Sequence, residues 1–210
     1  MAVENGLEVE VKFLLADPTA VRKRILQVGA ELTKPRVYER NVRFDTPDNA
    51  LLSRLELLRL REDTAVILTF KGPAAADLTS EAKVREEIET QVDDFEQMAL
   101  ILERLGFPPQ QVYEKYRETF HLHGVDLVLD ELPYGTFLEL EGSEEAIREM
   151  TAVLDLNWEQ RILANYLGMM DLLQRKHHLP FNDLTFANFE GRNLSIWDLF
   201  PLLSSQYTEE

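Results

Sequence analysis

The feature that most constrains this chain is a two-residue alternation that recurs along its length, with the charges always on one side. In "LEVEVKF" (7–13), Glu8, Glu10 and Lys12 share one face and Val9, Val11 and Phe13 the other. Arg59 and Arg61 align in "LLRLR", and Thr69 and Lys71 stand opposite Val66, Leu68 and Phe70 in "AVILTFK". In "KVREEIET", Lys83, Arg85, Glu87 and Glu89 line up against Val84 and Ile88. Lys115 and Arg117 align in "VYEKYRETF", Asp126 and Asp130 oppose Leu127 and Leu129, and Glu139 and Glu141 oppose Leu138 and Leu140. A period of two places successive side chains on opposite faces of a strand. A half-buried antiparallel sheet accounts for any one of these segments alone. The whole set asks what the charged faces share.

The periods predict strands at 7–15, 36–45, 56–62, 65–71, 83–90, 112–122, 125–131 and 136–142, in adjacent antiparallel pairs. Asp63-Thr64, Gly124 and "ELPYGT" supply turns, and 72–81 is a Gly/Pro-rich loop. Helices are predicted at 18–30, behind an Asp17 cap and Pro18, over "DDFEQMALILERLGF", and at 143–154 and 157–175. Beyond His178 the tail has aromatics but no period. The expected organisation is a domain over 1–175 and an irregular extension, 176–210, packed on it. The fold class is α+β. Eight strands are about the number at which a closed barrel leaves room for side chains or one small ligand. The helices need an apolar surface to cover, so in a closed barrel the apolar face turns outward and the charges line the lumen.

Such a lumen would hold Lys12, Arg59, Arg61, Lys71, Arg85, Lys115 and Arg117 against Glu8, Glu10, Glu87, Glu89, Asp130, Glu139 and Glu141. Burying these groups is costly unless each is paired or hydrated, so a water-filled tunnel is expected. Converging Arg and Lys suit a compact polyanion such as a triphosphate. Clustered carboxylates without His or Cys form a hard oxygen site of the kind Mg²⁺ or Mn²⁺ prefers. Acids beside bases therefore suggest a metal-bridged triphosphate. No Walker A loop is present. The net charge of −16 argues against nucleic-acid or anionic-membrane binding. The absence of cysteine and of a signal-like N-terminus fits a cytoplasmic protein, and no apolar run is long enough to span a membrane.

The ordered series "EVEVK", "LLRLR", "LTFKGP", "VREEIE", "YEKYRETF", "LVLDELPYG" and "FLELEG" resembles the CYTH superfamily, the triphosphate tunnel metalloenzymes, over roughly 7–170. The resemblance implies an eight-stranded antiparallel barrel around a charged tunnel, with metal-dependent processing of a small-molecule triphosphate. Among family members are class IV adenylate cyclases, thiamine triphosphatases and inorganic tripolyphosphatases. The segment "ERNVRFDTPDNALLSRLELLRLRED" looks most like the class IV adenylate cyclase type. By transfer, Glu8, Glu10, Glu139 and Glu141 would bind metal, with Glu87, Glu89 or Asp130 completing a site. Lys12, Arg59, Arg61, Lys71, Arg85, Lys115 and Arg117 would bind phosphates, and Lys12 would assist proton transfer. A homodimer is implied by analogy.

Smaller features read as structural. His177 and His178 suit a helix C-terminus, His121 and His123 a strand-to-turn edge, and Trp158 and Trp197 packing positions.

Overall fold

The alternating segments form β1 (Leu7–Leu14), β2 (Glu31–Phe44), β3 (Leu57–Glu62), β4 (Val66–Pro73), β5 (Lys83–Val92), β6 (Pro109–Leu122), β7 (Val125–Leu132) and β8 (Gly135–Glu141). In this computed structural model, which describes residues 6–74 and 80–203, they close into a barrel in the order β1-β5-β4-β3-β2-β6-β7-β8, with every neighbouring pair antiparallel. The centre of the expected 72–81 loop, the first residues of the chain and the end of the tail lie outside the described residues.

The apolar faces point outward, as the alternation requires. Val11, Phe13, Leu127, Leu129, Leu138 and Leu140 pack under Ile25 of α1 (Pro18–Gln27) and Ile147 and Met150 of α4 (Glu144–Val153). Across the barrel, Val42, Phe44 and Leu60 meet Phe95 and Leu102 of α3 (Phe95–Arg104). Each fully buried aliphatic side chain contributes roughly 1.5–3 kcal/mol. The helix starts follow from their caps. Asp17, Asp94 and Ser143 accept from the backbone N–H of Ala20, Gln97 and Ala146.

Two elements differ from expectation. β2 begins at Glu31, because β-bulges between Leu32 and Lys34 and between Lys34 and Val37 carry the strand past Pro35. Proline cannot donate to the ladder, and each bulge breaks the alternation that marks a strand. The single helix expected over 157–175 is instead a 3₁₀ turn, Trp158–Gln160, and α5 (Tyr166–His177). Asn157 and Asn165 each cap one of them, accepting from Glu159 and Gly168 N–H. Between them Ile162 is extended and pairs with Lys12, its N–H donating to the Lys12 carbonyl at 2.8 Å and its carbonyl accepting from the Lys12 N–H at 3.2 Å. The reason lies in the register: β5 starts at Lys83 opposite Glu10, so β1 beyond that point has an open edge.

The tail is less irregular than expected. With α6 (Phe186–Phe189) and α7 (Phe200–Leu203) it places Leu184, Phe189, Ile196, Leu199 and Leu203 in a second core. That core joins Met169, Met170 and Leu173 of α5 to Leu14, Tyr113, Leu132 and Phe137, so α5 and the tail cover one end of the lumen. Trp158 lies against the guanidinium groups of Arg148 and Arg161, whereas Trp197 is 40% exposed, touching Phe200. Among the described residues, no helix is long and apolar enough to cross a membrane. The short α2 (Ala50–Ser53) follows the Asp45 carboxylate, which accepts the N–H of Leu51 and Leu52.

Candidate active site

Register brings the charged faces together. Glu10 and Lys12 of β1 stand opposite Glu141 and Glu139 of β8, while Glu8 and Glu10 stand opposite Arg85 and Lys83 of β5. Lys71 of β4 is opposite Glu87, and Arg59 of β3 is opposite Thr69, which is opposite Glu89. Arg117 of β6 is opposite Asp130 of β7. Same-face neighbours on paired strands are close enough to touch.

Where a water column was expected, the described side chains largely neutralise one another. Lys12 Nζ lies 2.8 Å from Glu10 and 3.1 Å from Glu139. Lys83 Nζ joins Glu10 at 3.2 Å. Lys71 bridges Glu8 and Glu87 at 2.5 and 3.1 Å. Arg117 forks onto Asp130 at 2.7 and 2.6 Å and reaches Glu139, and Lys115 meets Asp130 at 2.8 Å. Arg59 bonds Tyr113, Thr69 and Glu89. Arg85 donates to the backbone carbonyls of Leu55, Lys71 and Gly72. Arg61 has Asp63 at 3.8 Å, and its Nε is buried without a hydrogen-bond partner. Accessibility rises away from the end that α5 covers: Phe137 is fully buried, whereas the Glu89 side chain is 37% exposed.

One acidic cluster stands apart from the rest. Carboxylate oxygens of Glu8, Glu10 and Glu141 lie within 4.8 Å of one another. Burial, with the negative charge of Glu139, Glu8 and Glu10, pushes the Glu141 carboxyl up to about 8 despite Arg117. Burial also raises Glu87, to about 7, against the pull of Lys71. Glu10 is the opposite case: burial disfavours its charge, but Lys12, Lys83 and Lys71 hold it well below the usual carboxylate range. Three convergent hard oxygen donors, one of them kept from ionising by burial and by its acidic neighbours, fit a divalent cation. Glu8, Glu10 and Glu141 would hold it. Bound there, it would polarise a phosphoryl oxygen and lower the pKa of water.

The other acids expected as metal ligands pair with cations, as Glu8 and Glu10 also do. Glu139 and Asp130 hold cations, Asp130 fully buried among Lys115, Arg117 and the Tyr166 hydroxyl. Glu87 and Glu89 hold Lys71 and Arg59. Among the described residues none of these four belongs to the convergent acid group. Burial lowers the Lys12 ammonium pKa, but Glu10 and Glu139 outweigh it and raise it far above an ordinary amine. Lys12 therefore stays charged, which suits holding a phosphate rather than exchanging a proton.

Several lumen residues escape sequence reading. Lys83 shares the alternating face of β5 but joined no expected set. Glu39 and Asn41 of β2 are fully buried, and neither side chain has a hydrogen-bond partner. Lys115, Lys34 and Arg117 stand 3.7–4.0 Å from the Glu39 carboxylate. Burial disfavours its charge, but Lys115 and Arg117, with Arg61 and Arg59, hold its pKa below the ordinary value. Arg40 on the opposite face of β2 hides the alternation there. At the edges, His121 Nδ1 contacts Asp126 at 2.6 Å, and His178 ends α5 in a left-handed conformation at φ 52°.

In the sequence comparison, residues 6–164 match the CYTH domain. The chain belongs to the CYTH domain family. A Methanocaldococcus jannaschii relative named "Putative adenylate cyclase" is 32% identical over 180 residues, covering 85% of this chain and 99% of that one. A solved Pyrococcus horikoshii OT3 protein is 27% identical, covering 80% of this chain and 99% of its own, at a TM-score of 0.65. A Hippeastrum protein described as revealing a dominant triphosphatase activity shares the fold at 20% identity and a TM-score of 0.54, over 75% of this chain and 91% of its own. The names of the CYTH relatives suggest an enzyme.

Proposed function

We propose that the protein is a metal-dependent enzyme that binds a triphosphate in the barrel lumen and cleaves one of its phosphoanhydride bonds. The observation that carries this reading is the convergence of Glu8, Glu10 and Glu141 beside lysines and arginines drawn from every side of the barrel. Lys12, Lys71, Lys83, Arg59, Arg61, Lys115 and Arg117 would hold the phosphate chain in line and neutralise charge as the bond breaks. To do so they would exchange carboxylate partners for phosphate oxygens. Mg²⁺ or Mn²⁺ is the cation the donor set suits.

Hydrolysis of the terminal phosphate is the reaction supported best. Water attacks the terminal phosphorus, the bridging P–O bond breaks, and phosphate leaves with a shortened chain. Among the described residues, the aromatics on the lumen face of the strands, Tyr113 and Phe137, lie in the core beneath α5. The accessible wall is charged and offers a nucleobase no ring to stack on. The second reading is class IV cyclisation, in which the ribose 3′-oxygen of ATP attacks the α-phosphorus and diphosphate departs; the name of the Methanocaldococcus relative favours it.

Incubation with tripolyphosphate, ATP and thiamine triphosphate, each with Mg²⁺ and Mn²⁺, tests both. Phosphate from tripolyphosphate supports hydrolysis, and cyclic AMP with diphosphate supports cyclisation. Turnover of none of the three refutes the enzyme reading. Glu8→Ala is expected to abolish metal-dependent turnover while anion binding persists, and normal turnover by that variant would remove Glu8 from the metal site.

A further inference from the structure

The CYTH match stops at residue 164, yet the chain beyond it enters the charged network at one point. Tyr166, the first residue of α5, is 7% exposed, and its hydroxyl donates to Asp130 Oδ2 at 3.0 Å. Its ring centroid lies 5.5 Å from Lys12 Nζ and 5.4 Å from Lys115 Nζ. The residue is held from several directions. Tyr134 donates its hydroxyl to the Tyr166 carbonyl at 3.0 Å, Phe137 packs edge-on at 5.2 Å, and the Ile162–Lys12 pairing anchors the segment four residues earlier. Burial and the charges of Asp130 and Glu139 keep the phenol well above its ordinary pKa, so it remains a donor.

Asp130 is the hub through which Tyr166 acts. Its two oxygens take Lys115, both arms of the Arg117 fork and the Tyr166 hydroxyl. A fully buried carboxylate with this many donors has one orientation, and the cations it grips inherit that orientation. The Tyr166 ring also presents a π-face to two ammonium groups that are already paired with carboxylates. We propose that Tyr166 is a positioning residue of the triphosphate site: by fixing Asp130 it aims Lys115 and Arg117, and through its ring it steadies Lys12. The α5 segment thus completes the anion-binding wall of the barrel. This inference rests on the triphosphate reading given above.

The test is titration calorimetry of the full chain with two separate probes, tripolyphosphate without divalent cation and Mn²⁺ alone. Tyr166→Phe is expected to weaken tripolyphosphate about tenfold, the scale of one hydrogen bond to a charged group. It leaves Mn²⁺ affinity unchanged, because Glu8, Glu10 and Glu141 do not touch Tyr166. Tyr166→Leu, which also removes the ring, weakens tripolyphosphate further. Unchanged tripolyphosphate affinity in Tyr166→Phe overturns the inference, and so does a parallel loss of both affinities, which marks general loosening. Failure of the wild-type protein to bind tripolyphosphate overturns the triphosphate reading itself, and the inference with it.

Discussion

Titrating the protein with Mn²⁺ at pH 7 and again at pH 9 probes the acid cluster directly. Glu141 titrates at about 8, whereas Glu10 beside it is held far below that range. Only the ionised carboxylate ligates a cation. At pH 7 a group with that pKa is roughly ten parts protonated to one ionised, and at pH 9 the ratio is reversed. Cation binding at pH 7 should therefore expel about 0.9 proton per ion, and the apparent affinity should rise about tenfold by pH 9. Calorimetry in two buffers of different ionisation enthalpy reads the proton count, and Glu141→Gln should abolish it while weakening binding. The stability sign runs the other way. The folded pKa of Glu141 lies above its unfolded value, so the stabilisation is complete at acid pH and is lost as pH rises through about 8. The melting temperature without metal should fall over that range and Mn²⁺ should restore it. Mn²⁺ affinity that is flat from pH 7 to 9, with no proton released, refutes the raised pKa of Glu141, and unchanged Mn²⁺ binding by Glu141→Gln refutes its assignment to the cation site.

Two further substitutions test the scaffold. Leu140→Ala deletes a fully buried side chain where β8 meets the outer helices, and should cost roughly 2–5 kcal/mol in denaturant unfolding. Gly142→Ala would set a Cβ 2.9 Å from the Gly124 carbonyl oxygen, a backbone atom held by the adjoining turn, so chemical denaturation should show lower stability with an altered β8 end.

The barrel was legible because its alternation is unusually clean where one face is apolar. The β1, β5 and β8 patterns place Glu8, Glu10, Lys83, Glu139 and Glu141 on shared faces, and strand pairing then makes them neighbours. What the sequence conceals has specific causes. Pro35 and its flanking bulges interrupt the β2 pattern, and with charges on both faces of that strand Glu39 and Asn41 pass unnoticed. Ile162 sits in what reads as one continuous helix, and its extended pairing with Lys12 is a tertiary event that local period does not encode. The division of labour among the acids is likewise invisible in one dimension. Glu139 and Glu141 are two residues apart on one face, yet one grips Lys12 and Arg117 while the other joins the acid cluster.

The acid cluster draws Glu8 and Glu10 from the first strand and Glu141 from the last. A ribosome releases β1 long before β8 exists, and β1 must wait, paired at best with β5, until nearly the whole barrel has emerged. Contacts of such separation are slow to form. A cation site built from these three residues would therefore come into being only with the final zip of β1 to β8. A divalent ion arriving then would act as a clasp on the ring, slowing its reopening more than it speeds its assembly.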